Sequence, residues 1–441
     1  MVLREIKSFA GKHVLLLQGP LGPFFRRLSR DLKEHGARVS KINFHGGDWL
    51  FYPGQSVPFR GRMEDWPNYL AQVLVEQKID VVLMYGDCRP VHLCVREQAE
   101  RLGVEIGVFE AGYVRPNYIT LERSGINDYS SVPRSADFYR NVSGIKPAKP
   151  LSVGNVFWHA ALWAILYYIA SSFLRPLFPH YQHHRRLGIR EAFPWVRGLW
   201  RKYYYHAKER EVRGRLEKEY SGRFFLVPLQ VHYDSQMHMH SGYASVDDFV
   251  RYVVSDFAKN APPETYLVIK HHPMDRAYCD YTRLCEQLEE SYSLKGRLLY
   301  VHDLHLPTVF DHAVGVVVVN STVGLSALLH GAPVKVCGRA IYDLPGVSFP
   351  GLLSEFWTKA QDRKPDRRVI YGFHSYLIAH TQLNGSVYKR LPMAGSYSGV
   401  VWKHPLEYAK QAEPNVAQGM SSKEEPRRRA TDKGRTFVTN P

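Results

Sequence analysis

The 441-residue sequence lacks several patterns that would identify its chemistry directly. It contains neither GxGxxG nor GxxxxGK[ST], so it has no glycine-rich loop of the kinds that bind dinucleotides or ATP. It has no Asp-X-Asp pair, which argues against a sugar transferase that holds a diphosphate through a carboxylate-bound divalent cation. We therefore expect no cofactor and no metal site, with anionic ligands bound by helix N-termini and basic side chains.

Cysteine is scarce and follows no ligand or disulfide pattern. The five residues form no CxxC pair and are odd in number: Cys88, Cys94, Cys279, Cys285 and Cys337. This argues against a disulfide framework and favours a reducing compartment, with the thiols as packing residues. The N-terminal segment has an apolar run of only four residues, which is too short for a signal peptide. The expected location is the cytoplasm.

Acidic residues are in deficit, with 58 Lys and Arg against 42 Asp and Glu and a net charge of +16. Such a charge suits a polyanion, an anionic lipid surface or the phosphates of a nucleotide ligand. The sequence has no zinc-finger spacing, RNP-like aromatic motif or long basic helix, so we expect no nucleic-acid partner. A hydrophobic fraction of 45% over this length suffices for two domains with complete cores.

Two series of alternating strand and helix patterns predict an α/β fold with two Rossmann-like domains facing each other across a cleft. The first series begins at the apolar run 13–17, and the second begins at 224–228. The predicted divisions are a first domain (1–150), a hydrophobic and basic helical insertion (151–220), a second domain (221–370), a C-terminal helical return segment (371–410) and a disordered tail (411–441).

The insertion contains nineteen residues, 156–174, without Lys, Arg, Asp or Glu, followed by a segment rich in Arg, Trp and Tyr. The length permits a membrane-spanning helix. However, a single span would place the two halves of one cleft on opposite sides of the bilayer. We favour a helical hairpin that lies on or dips into the membrane interface, with basic side chains at lipid phosphates and aromatic rings at headgroup level. The alternative is a helical insertion packed on the protein itself.

Residues 316–336 read as a strand, a polar turn and a helix. Four β-branched residues predict a buried parallel strand, which is broken by three residues that can cap the helix behind them: Asn320, Ser321 and Thr322. Open α/β sheets bind ligands at this edge, and a helix N-terminus there favours phosphate. The alternative is an ordinary strand–helix turn with a good cap.

A second polar group ends a strand of the same series and is therefore expected at the same sheet edge. It consists of Lys270, His271, His272 and Pro273. A cation and imidazoles beside a helix N-terminus predict a site for a nucleotide phosphate and ribose. Asp303, at another strand end, is a weaker candidate for the same site.

Two carboxylates are expected to face the cleft from opposite domains. Asp234 follows the strand ending at Pro228, and Glu110 ends a strand of the first domain before a Gly-Tyr-Val-Arg-Pro turn. Glycosyl transfer and hydrolysis use such a pair, one as nucleophile or charge stabiliser and the other as proton donor and acceptor. Arg115 could hold Glu110 ionised or bind an anionic substrate. The alternative is that each carboxylate caps a turn.

The remaining candidates lie at strand ends or in loops, and we assign them to the acceptor or substrate side of the cleft. They are Gln18, Gly19, Asp48, Asp87, Gln230 and His232, together with Arg115. His232, His238 and His240 do not predict zinc, because their spacing has no supporting carboxylate or cysteine. We expect these histidines to be structural or to contact substrate.

Nine short motifs in combination resemble those of one protein family. They are LLLQGPLGPFF, INFHGGDW, YGDCRP, FEAGYVRPNYITLE, VPLQVHYDSQ, KHHPMD, HDLHLPT, NSTVGLSALLHGAPV and HTQLNGSVY. Over roughly residues 10–390 the chain is similar to the capsule polysaccharide biosynthesis and export proteins of the KpsS/LipB type. The resemblance implies a GT-B glycosyltransferase, a retaining β-Kdo transferase that uses CMP-Kdo to start a poly-Kdo linker on lysophosphatidylglycerol. In Gram-negative bacteria that linker carries the capsule chain for export.

The resemblance also implies roles for individual residues. Asp234 matches the family's aspartate after the Gln-Val strand end, and Glu110 matches its acidic residue before the Gly-aromatic turn. Retention of configuration would suit Asp234 as nucleophile and Glu110 as acid/base. Related two-module Kdo transferases carry QVEDD where this chain has QVHYD, so two positions of that motif differ. The elements that match the CMP site are Lys270, His272, Pro273, Ser321 and Thr322.

The implied partners are CMP-Kdo as donor substrate, a phospholipid acceptor, the inner-membrane surface, a second Kdo transferase and the capsule export machinery. The first domain would bind the acceptor and the second would bind the CMP-sugar, in a protein peripheral to the cytoplasmic side of the inner membrane. Two other interpretations stay open. One is a non-catalytic export or scaffold protein that delivers lipid-linked polymer. The other is a GT-B transferase with a different donor, such as CMP-sialic acid or a UDP-sugar.

Overall fold

Strands and helices alternate along most of the chain in the computed structural model, which describes residues 3–142, 146–147, 149–181, 192–234, 237, 239–402 and 406–407. In chain order the strands are β1 (His13–Leu16), β2 (Arg38–Asn43), β3 (Val57–Pro58), β4 (Val81–Tyr85), β5 (Glu105–Ala111), β6 (Tyr118–Arg123), β7 (Lys146–Pro147), β8 (Phe224–Pro228), β9 (Tyr266–Lys270), β10 (Leu298–Val301), β11 (Gly315–Val318), β12 (Val334–Val336), β13 (Gln382–Gly385), β14 (Val400–Val401) and β15 (Leu406–Glu407). The α-helices are α1 (Phe24–Glu34), α2 (Gly46–Phe51), α3 (Trp66–Glu76), α4 (Val95–Leu102), α5 (Ala136–Asn141), α6 (Phe157–Phe173), α7 (Ala192–Lys208), α8 (Arg210–Glu217), α9 (Val246–Asn260), α10 (Thr282–Ser291), α11 (Leu306–Phe310), α12 (Thr322–Leu329), α13 (Leu353–Lys359) and α14 (Arg367–His380).

The first sheet has the strand order β14-β13-β6-β5-β4-β1-β2-β3. Its strands run parallel from β3 to β5, and β6, β13 and β14 are added antiparallel. Every residue of β4 is buried, as expected for a parallel strand in a sheet covered by helices on both faces. The parallel part confirms the strand–helix alternation predicted for the N-terminal region.

The second sheet is parallel throughout, with the strand order β10-β9-β8-β11-β12. All residues of β8 and β11 are buried. The helix α9 crosses over from β8 and begins with a side-chain cap, in which Ser245 Oγ accepts a hydrogen bond from the Asp248 backbone N–H at 3.1 Å. The strand β11 lies within one residue of its predicted start, because a run of β-branched residues marks a buried parallel strand.

The last part of the chain returns to the first sheet. The helix α14 ends at His380, and Gln382, Leu383 and Asn384 then pair antiparallel with β6. This differs from the helical return segment expected over 371–410, because the helix gives way to strands. The partner, Thr120, lies 262 residues before Gln382, so a local pattern cannot reveal the ladder. The tail predicted over 411–441 lies outside the described residues.

The helix α6 of the insertion packs on α2 of the first domain. Its buried residues are Ala164, Tyr167, Ala170 and Ser171. Two glycines at the start of α2 permit this close contact: a Cβ at Gly46 would overlap the Ala170 carbonyl oxygen, and one at Gly47 would lie 2.6 Å from Tyr167 Cδ2. Among the helices of the described ranges, none has the length and hydropathy needed to cross a bilayer.

The carboxyl ends of the two sheets face each other. Cys88 Sγ, after β4, lies 3.5 Å from Nε2 of His240, in the chain that follows β8. Arg134 Nη1 donates a hydrogen bond at 2.6 Å to the carbonyl of Ala340, after β12. Two Rossmann-like sheets whose carboxyl ends oppose each other form the GT-B arrangement, so the predicted fold class is confirmed.

Candidate active site

Gln230 connects the catalytic candidate Asp234 to the polar turn after β11. Its amide Nε2 donates hydrogen bonds to Asp234 Oδ2 at 3.1 Å and to Asn320 Oδ1 at 2.9 Å. Its Oε1 accepts the Asn320 backbone N–H at 3.3 Å. Since β8 and β11 are adjacent strands, their carboxyl ends place both loops side by side. The structure therefore brings together two motifs that are ninety residues apart.

The turn after β11 is the helix start that the sequence predicts. Ser321 is the N-cap of α12, and its Oγ accepts the Val323 backbone N–H at 3.2 Å. The Tyr342 hydroxyl donates to the Ser321 carbonyl, and a Cβ at Gly324 would overlap that hydroxyl. The turn is thus fixed from both sides, with Thr322 as the first helical residue.

The residues of the Lys270–Pro273 segment have different environments. Lys270 is buried, its Nζ donates to the His271 carbonyl at 3.2 Å, and burial lowers its pKa to about 8. His271 was predicted to contact the nucleotide of the donor substrate. Instead it is fully buried, and its Nδ1 forms a hydrogen bond with the Tyr300 hydroxyl at 2.6 Å. Successive residues of a strand point to opposite faces, so His271 turns into the aromatic core of the second domain.

His272 lies where the two domains meet. Its Nδ1 accepts the Met274 backbone N–H at 3.2 Å and so caps the 3-10 helix Pro273–Asp275. Burial, together with the positive charges of Lys270 and Arg115, lowers the pKa of His272 to about 4. Arg115 follows β5 in the first domain, where its Nε donates to the Gly112 carbonyl at 3.2 Å. Its charge therefore acts across the cleft on the predicted donor segment.

Glu110 occupies a partly buried position at the end of β5. Its Oε1 accepts the Ala111 backbone N–H at 2.8 Å, and Gly86 approaches so closely that a Cβ there would lie 3.3 Å from Glu110 Oε2. Burial raises the pKa of Glu110, although the Ala111 N–H and the charge of Arg89 lower it. A raised pKa makes a carboxylate a stronger base, which suits a group that accepts a proton during catalysis. Arg89 was not identified from the sequence.

Asp87 stabilises the loop after β4. Its Oδ2 accepts the Ile126 backbone N–H at 3.0 Å, and its Oδ1 accepts the Cys88 thiol at 3.4 Å. The thiol also contacts His240, which is fully buried and whose carbonyl accepts Asn320 Nδ2 at 3.5 Å. These contacts connect the first domain to the polar turn of the second. His238 lies outside the described residues.

Three residues assigned to the acceptor side make contacts within the first domain or with the insertion. Gln18 is buried, and its Nε2 donates to the Tyr181 hydroxyl at 2.7 Å and contacts His45 Nε2 at 3.0 Å. The Gly19 carbonyl accepts Arg89 Nη1 at 2.8 Å. Asp48 is buried, and its Oδ2 caps the turn before α2 by accepting the Phe44 N–H at 3.3 Å. The insertion covers Gln18 and Asp48, which a pattern of strand ends cannot indicate.

Asp303 connects the insertion to the donor side of the site. Its carboxylate contacts His206 Nδ1 on α7 at 2.6 Å and Arg276 Nη2 at 3.0 Å. Burial opposes ionisation, but the hydrogen bond from His206 and the charge of Arg276 outweigh it and lower the pKa of Asp303. Asp303 is therefore already paired with basic side chains.

Glu209 is a second residue that anchors the insertion, and no sequence pattern indicates it. Its buried carboxylate accepts the backbone N–H groups of His302 and Asp303 at 2.8 and 2.9 Å and contacts His302 Nδ1 at 2.8 Å. Tyr205 stacks on the His302 ring, with centroids 3.5 Å apart. The segment from α7 to α8 is thus fixed to the carboxyl end of β10.

Asp275 is a further residue that sequence reasoning missed, although it belongs to the KHHPMD motif. It is fully buried and accepts two hydrogen bonds from His232. His232, Asp275 and Cys279 have ligand atoms within 4.8 Å of one another, so they are the candidate metal ligands of the described chain. A cation there would have to displace the hydrogen bonds between His232 and Asp275. The expected absence of a metal site stays a prediction.

The structure therefore defines a class: a two-domain α/β protein with a capped helix start, a basic segment and two carboxylates at the facing ends of its sheets. Residues 80–388 match the family of capsule polysaccharide biosynthesis proteins, and the chain belongs to that family. This confirms the resemblance found in the motifs. The assignments of individual site residues stay predictions.

The chain matches similar proteins over almost their whole length. The chain is 40% identical over 389 residues to the Escherichia coli capsule polysaccharide export protein KpsS, covering 86% of this chain and 97% of that protein. It is 38% identical over 391 residues to the capsule polysaccharide modification protein LipB of Neisseria meningitidis serogroup A, covering 87% and 93%. Among solved structures, the β-Kdo 2,7 transferase of Thermosulfurimonas dismutans KpsC is similar with a TM-score of 0.39 and 13% identity, covering 84% of this chain and 93% of that one.

Proposed function

We propose that the protein is a retaining glycosyltransferase that transfers β-Kdo from CMP-Kdo to lysophosphatidylglycerol and so starts the poly-Kdo linker of a capsular polysaccharide. The observation that carries the proposal is the Gln230 bridge, which holds Asp234 beside the helix start at Asn320. Transfer from a nucleotide sugar requires a nucleophile close to a group that binds phosphate, and a helix N-terminus can be such a group. Membership of the capsule family supports a capsular product.

The proposed chemistry proceeds in two displacements. The Asp234 carboxylate attacks the anomeric carbon of Kdo while the bond from that carbon to the phosphate oxygen breaks, and CMP leaves with the bonding electrons. An acceptor hydroxyl then attacks the same carbon, displaces Asp234 and gives its proton to Glu110. Two inversions return the original configuration. The raised pKa of Glu110 supports its role as the proton acceptor.

The charge around the site also fits an anionic donor. The charges of Lys270, Arg115 and Arg276 all act on His272. Kdo is an acidic sugar, and CMP carries a phosphate, so both parts of the donor are attracted to this region. We expect donor binding without a divalent cation.

The experiment is to incubate the full-length protein with CMP-Kdo and a fluorescent lysophosphatidylglycerol analogue, with and without EDTA, and to weigh the lipid product. The proposal expects CMP release and a lipid heavier by one or more Kdo residues, and EDTA should not reduce the yield. CMP-sialic acid and UDP-sugars serve as alternative donors. Transfer from one of those alone would assign a different donor, and no nucleotide release from any of them would favour a non-catalytic export protein.

We also propose that the insertion binds the surface of the anionic inner membrane. One face of α6 packs on the protein, while its opposite face exposes five apolar residues at helical spacing: Trp158, Leu162, Ile165, Ile169 and Phe173. We call these residues the apolar ridge. On α7, Trp200, Tyr203 and Tyr204 are also exposed. Exposed aromatic residues on a protein of net charge +16 suit a bilayer interface rich in anionic lipid.

Vesicle sedimentation tests this surface. Trp158 and Phe173 are 71% and 69% exposed, so replacing both with Ser should leave the fold intact. We expect binding to phosphatidylglycerol-containing vesicles to weaken about 10-fold or more, since each large apolar side chain contributes about 1.5–3 kcal/mol when buried. Leu352→Ser, at an equally exposed position (71%) outside the insertion, is the control. Equal vesicle binding by wild type and the double variant would refute the proposal that the apolar ridge binds the membrane.

A further inference from the structure

Asp275 and His232 form a hydrogen-bonded pair beside the nucleophile loop. The Asp275 carboxylate is 0% exposed, and its Oδ2 accepts the His232 backbone N–H at 2.7 Å. Its Oδ1 lies 2.8 Å from His232 Nδ1. Because the partner is a carboxylate, Nδ1 is the ring nitrogen that carries the hydrogen. A single buried carboxylate thus fixes both the backbone and the ring of His232.

The ring of His232 remains accessible, since its side chain is 37% exposed. Among the described residues, none forms a hydrogen bond with its second nitrogen, Nε2. The groups around the ring are Tyr233, Tyr278 and the Cys279 thiol, whose pKa is raised by burial and by the charge of Asp275. A carboxylate at the position of Asp275 favours one tautomer of the neutral His232 ring, and it balances the positive charge when the ring is protonated.

The pair also lies between two parts of the proposed site. His232 precedes Asp234 by two residues, and Asp275 ends the 3-10 helix that continues the Lys270–Pro273 segment. The hydrogen bonds between them therefore join the nucleophile loop to the segment that we assign to the donor phosphate. Such a position suits a residue that contacts the bond between sugar and phosphate.

We propose that His232 binds the phosphate of the nucleotide-sugar donor through Nε2 and that Asp275 positions it. This inference deepens the proposed function and rests on it. A protonated imidazole donates a charge-assisted hydrogen bond to a phosphate oxygen. When the sugar–oxygen bond breaks, its electrons stay on that phosphate, and the same hydrogen bond stabilises the growing charge. No proton has to leave His232 in this step.

The first test is nucleotide binding, measured by calorimetry with wild type and His232→Gln. We expect the affinity for CMP to fall about 10-fold or more, as for the loss of a hydrogen bond to a charged group. The affinity for cytidine, which has no phosphate, should not change. Equal CMP affinity in both proteins would overturn the role of His232. If wild type bound CMP but transferred no Kdo, the proposed function would fail separately.

The second test concerns Asp275 and uses Asp275→Asn, which keeps the shape of the side chain but removes its charge. We expect a smaller loss of CMP affinity than in His232→Gln, a fall in kcat together with a rise in KM for CMP-Kdo, and no further loss of CMP affinity in the double variant. In the nucleotide-free protein, at a pH where the ring is neutral, nitrogen-15 NMR should show the hydrogen of His232 on Nδ1 in wild type and a mixture of tautomers in Asp275→Asn. Asp280→Asn, in the same loop, is the control.

A structural role alone predicts a different pattern. If Asp275→Asn and His232→Gln had additive effects, or if cytidine binding weakened as much as CMP binding, the two residues would only maintain the loop. Either result would overturn the assignment of Asp275 as a positioning residue. Melting temperatures of all variants show whether a loss of binding reflects unfolding.

Discussion

The two catalytic candidates lie in contrasting environments. Glu110 ends a strand of the first sheet, where desolvation raises its pKa. Asp234 is also partly buried, but it lies in a loop of the second domain and accepts a hydrogen bond from Gln230. Burial favours the protonated form of a carboxyl group, which suits the proton exchange that we propose for Glu110. The Gln230 hydrogen bond orients Asp234, which suits the nucleophilic attack that we propose for it.

The largest expected effect is the loss of transfer in Asp234→Ala. Without the carboxylate nothing attacks the anomeric carbon, and we expect Kdo transfer to fall by about 10³-fold or more, as for nucleophiles of other transfer enzymes. The measurement is the rate of lipid product formation by mass spectrometry. Asp311→Ala, at an exposed position, is the control. Near-normal transfer by Asp234→Ala would refute the assignment.

The second effect is a change in the pH profile of Glu110→Gln. The amide cannot exchange protons, so we expect transfer to fall by about 10²–10⁴-fold. Because burial raises the pKa of Glu110, wild type should lose activity on the acidic side at a higher pH than an ordinary glutamate would give. That acidic limb should be absent from the residual activity of the variant. A variant with an unchanged profile would show that another group exchanges the proton.

The burial of Glu110 also predicts that Glu110→Gln, although it lowers transfer, does not lower thermal stability. A carboxyl group whose pKa is raised on folding stabilises the native state while it is protonated, and that contribution disappears as the pH rises through the folded-state pKa. Glu110→Gln should therefore melt at a temperature equal to or above that of wild type at pH 8, and the difference should shrink towards pH 4. A variant that melts lower than wild type at pH 8 would contradict the burial argument.

A smaller effect is expected from Gln230→Leu, which removes the bridge and leaves Asp234 in place. Loss of its hydrogen bonds should lower stability by about 1–3 kcal/mol and, by loosening the nucleophile loop, reduce kcat by roughly 10-fold. Gln98→Leu also removes a buried amide, in the distant helix α4, and should affect stability alone. If both variants had the same kcat as wild type, the bridge would not orient Asp234.

The smallest effect on transfer is expected from Gly46→Ala, which alters the packing between α2 of the first domain and α6 of the insertion. The new methyl group would overlap the Ala170 carbonyl, so α6 must shift, and we expect a loss of stability of about 1–3 kcal/mol with little change in kcat. Gly214→Ala, where a Cβ has open space in the helix α8, should instead stabilise by about 0.5–1 kcal/mol. Chemical denaturation measures both.

Local patterns predicted the second domain better than the first. In the second sheet, buried parallel strands are continuous apolar runs, and the cap at Ser321 follows one of them directly. The first sheet is completed by β13 and β14, whose antiparallel partners lie far away in the sequence. Pairing between distant segments leaves no local periodicity to recognise, so these strands could not be predicted.

Contacts between distant segments also limited the prediction of individual site residues. The sequence predicted that Lys270–Pro273 and the turn at Asn320 share one sheet edge, because both end strands of the same series. The hydrogen bonds of Gln230, which place the loop of Asp234 beside that turn, were not predicted. The orientation of His271 and the burial of Gln18 under the insertion depend on what packs against them. Asp275 was overlooked because its partner, His232, lies 43 residues away.

The sequence by itself determined the two parallel α/β cores, the capped turn, the basic strand end and the family, because each is recorded in the order of neighbouring residues. Only the tertiary structure decided which polar side chains are accessible, where the insertion packs, and how His232 is held. Those properties arise from contacts between segments far apart in the chain, where the burial of one side chain depends on the shape of another.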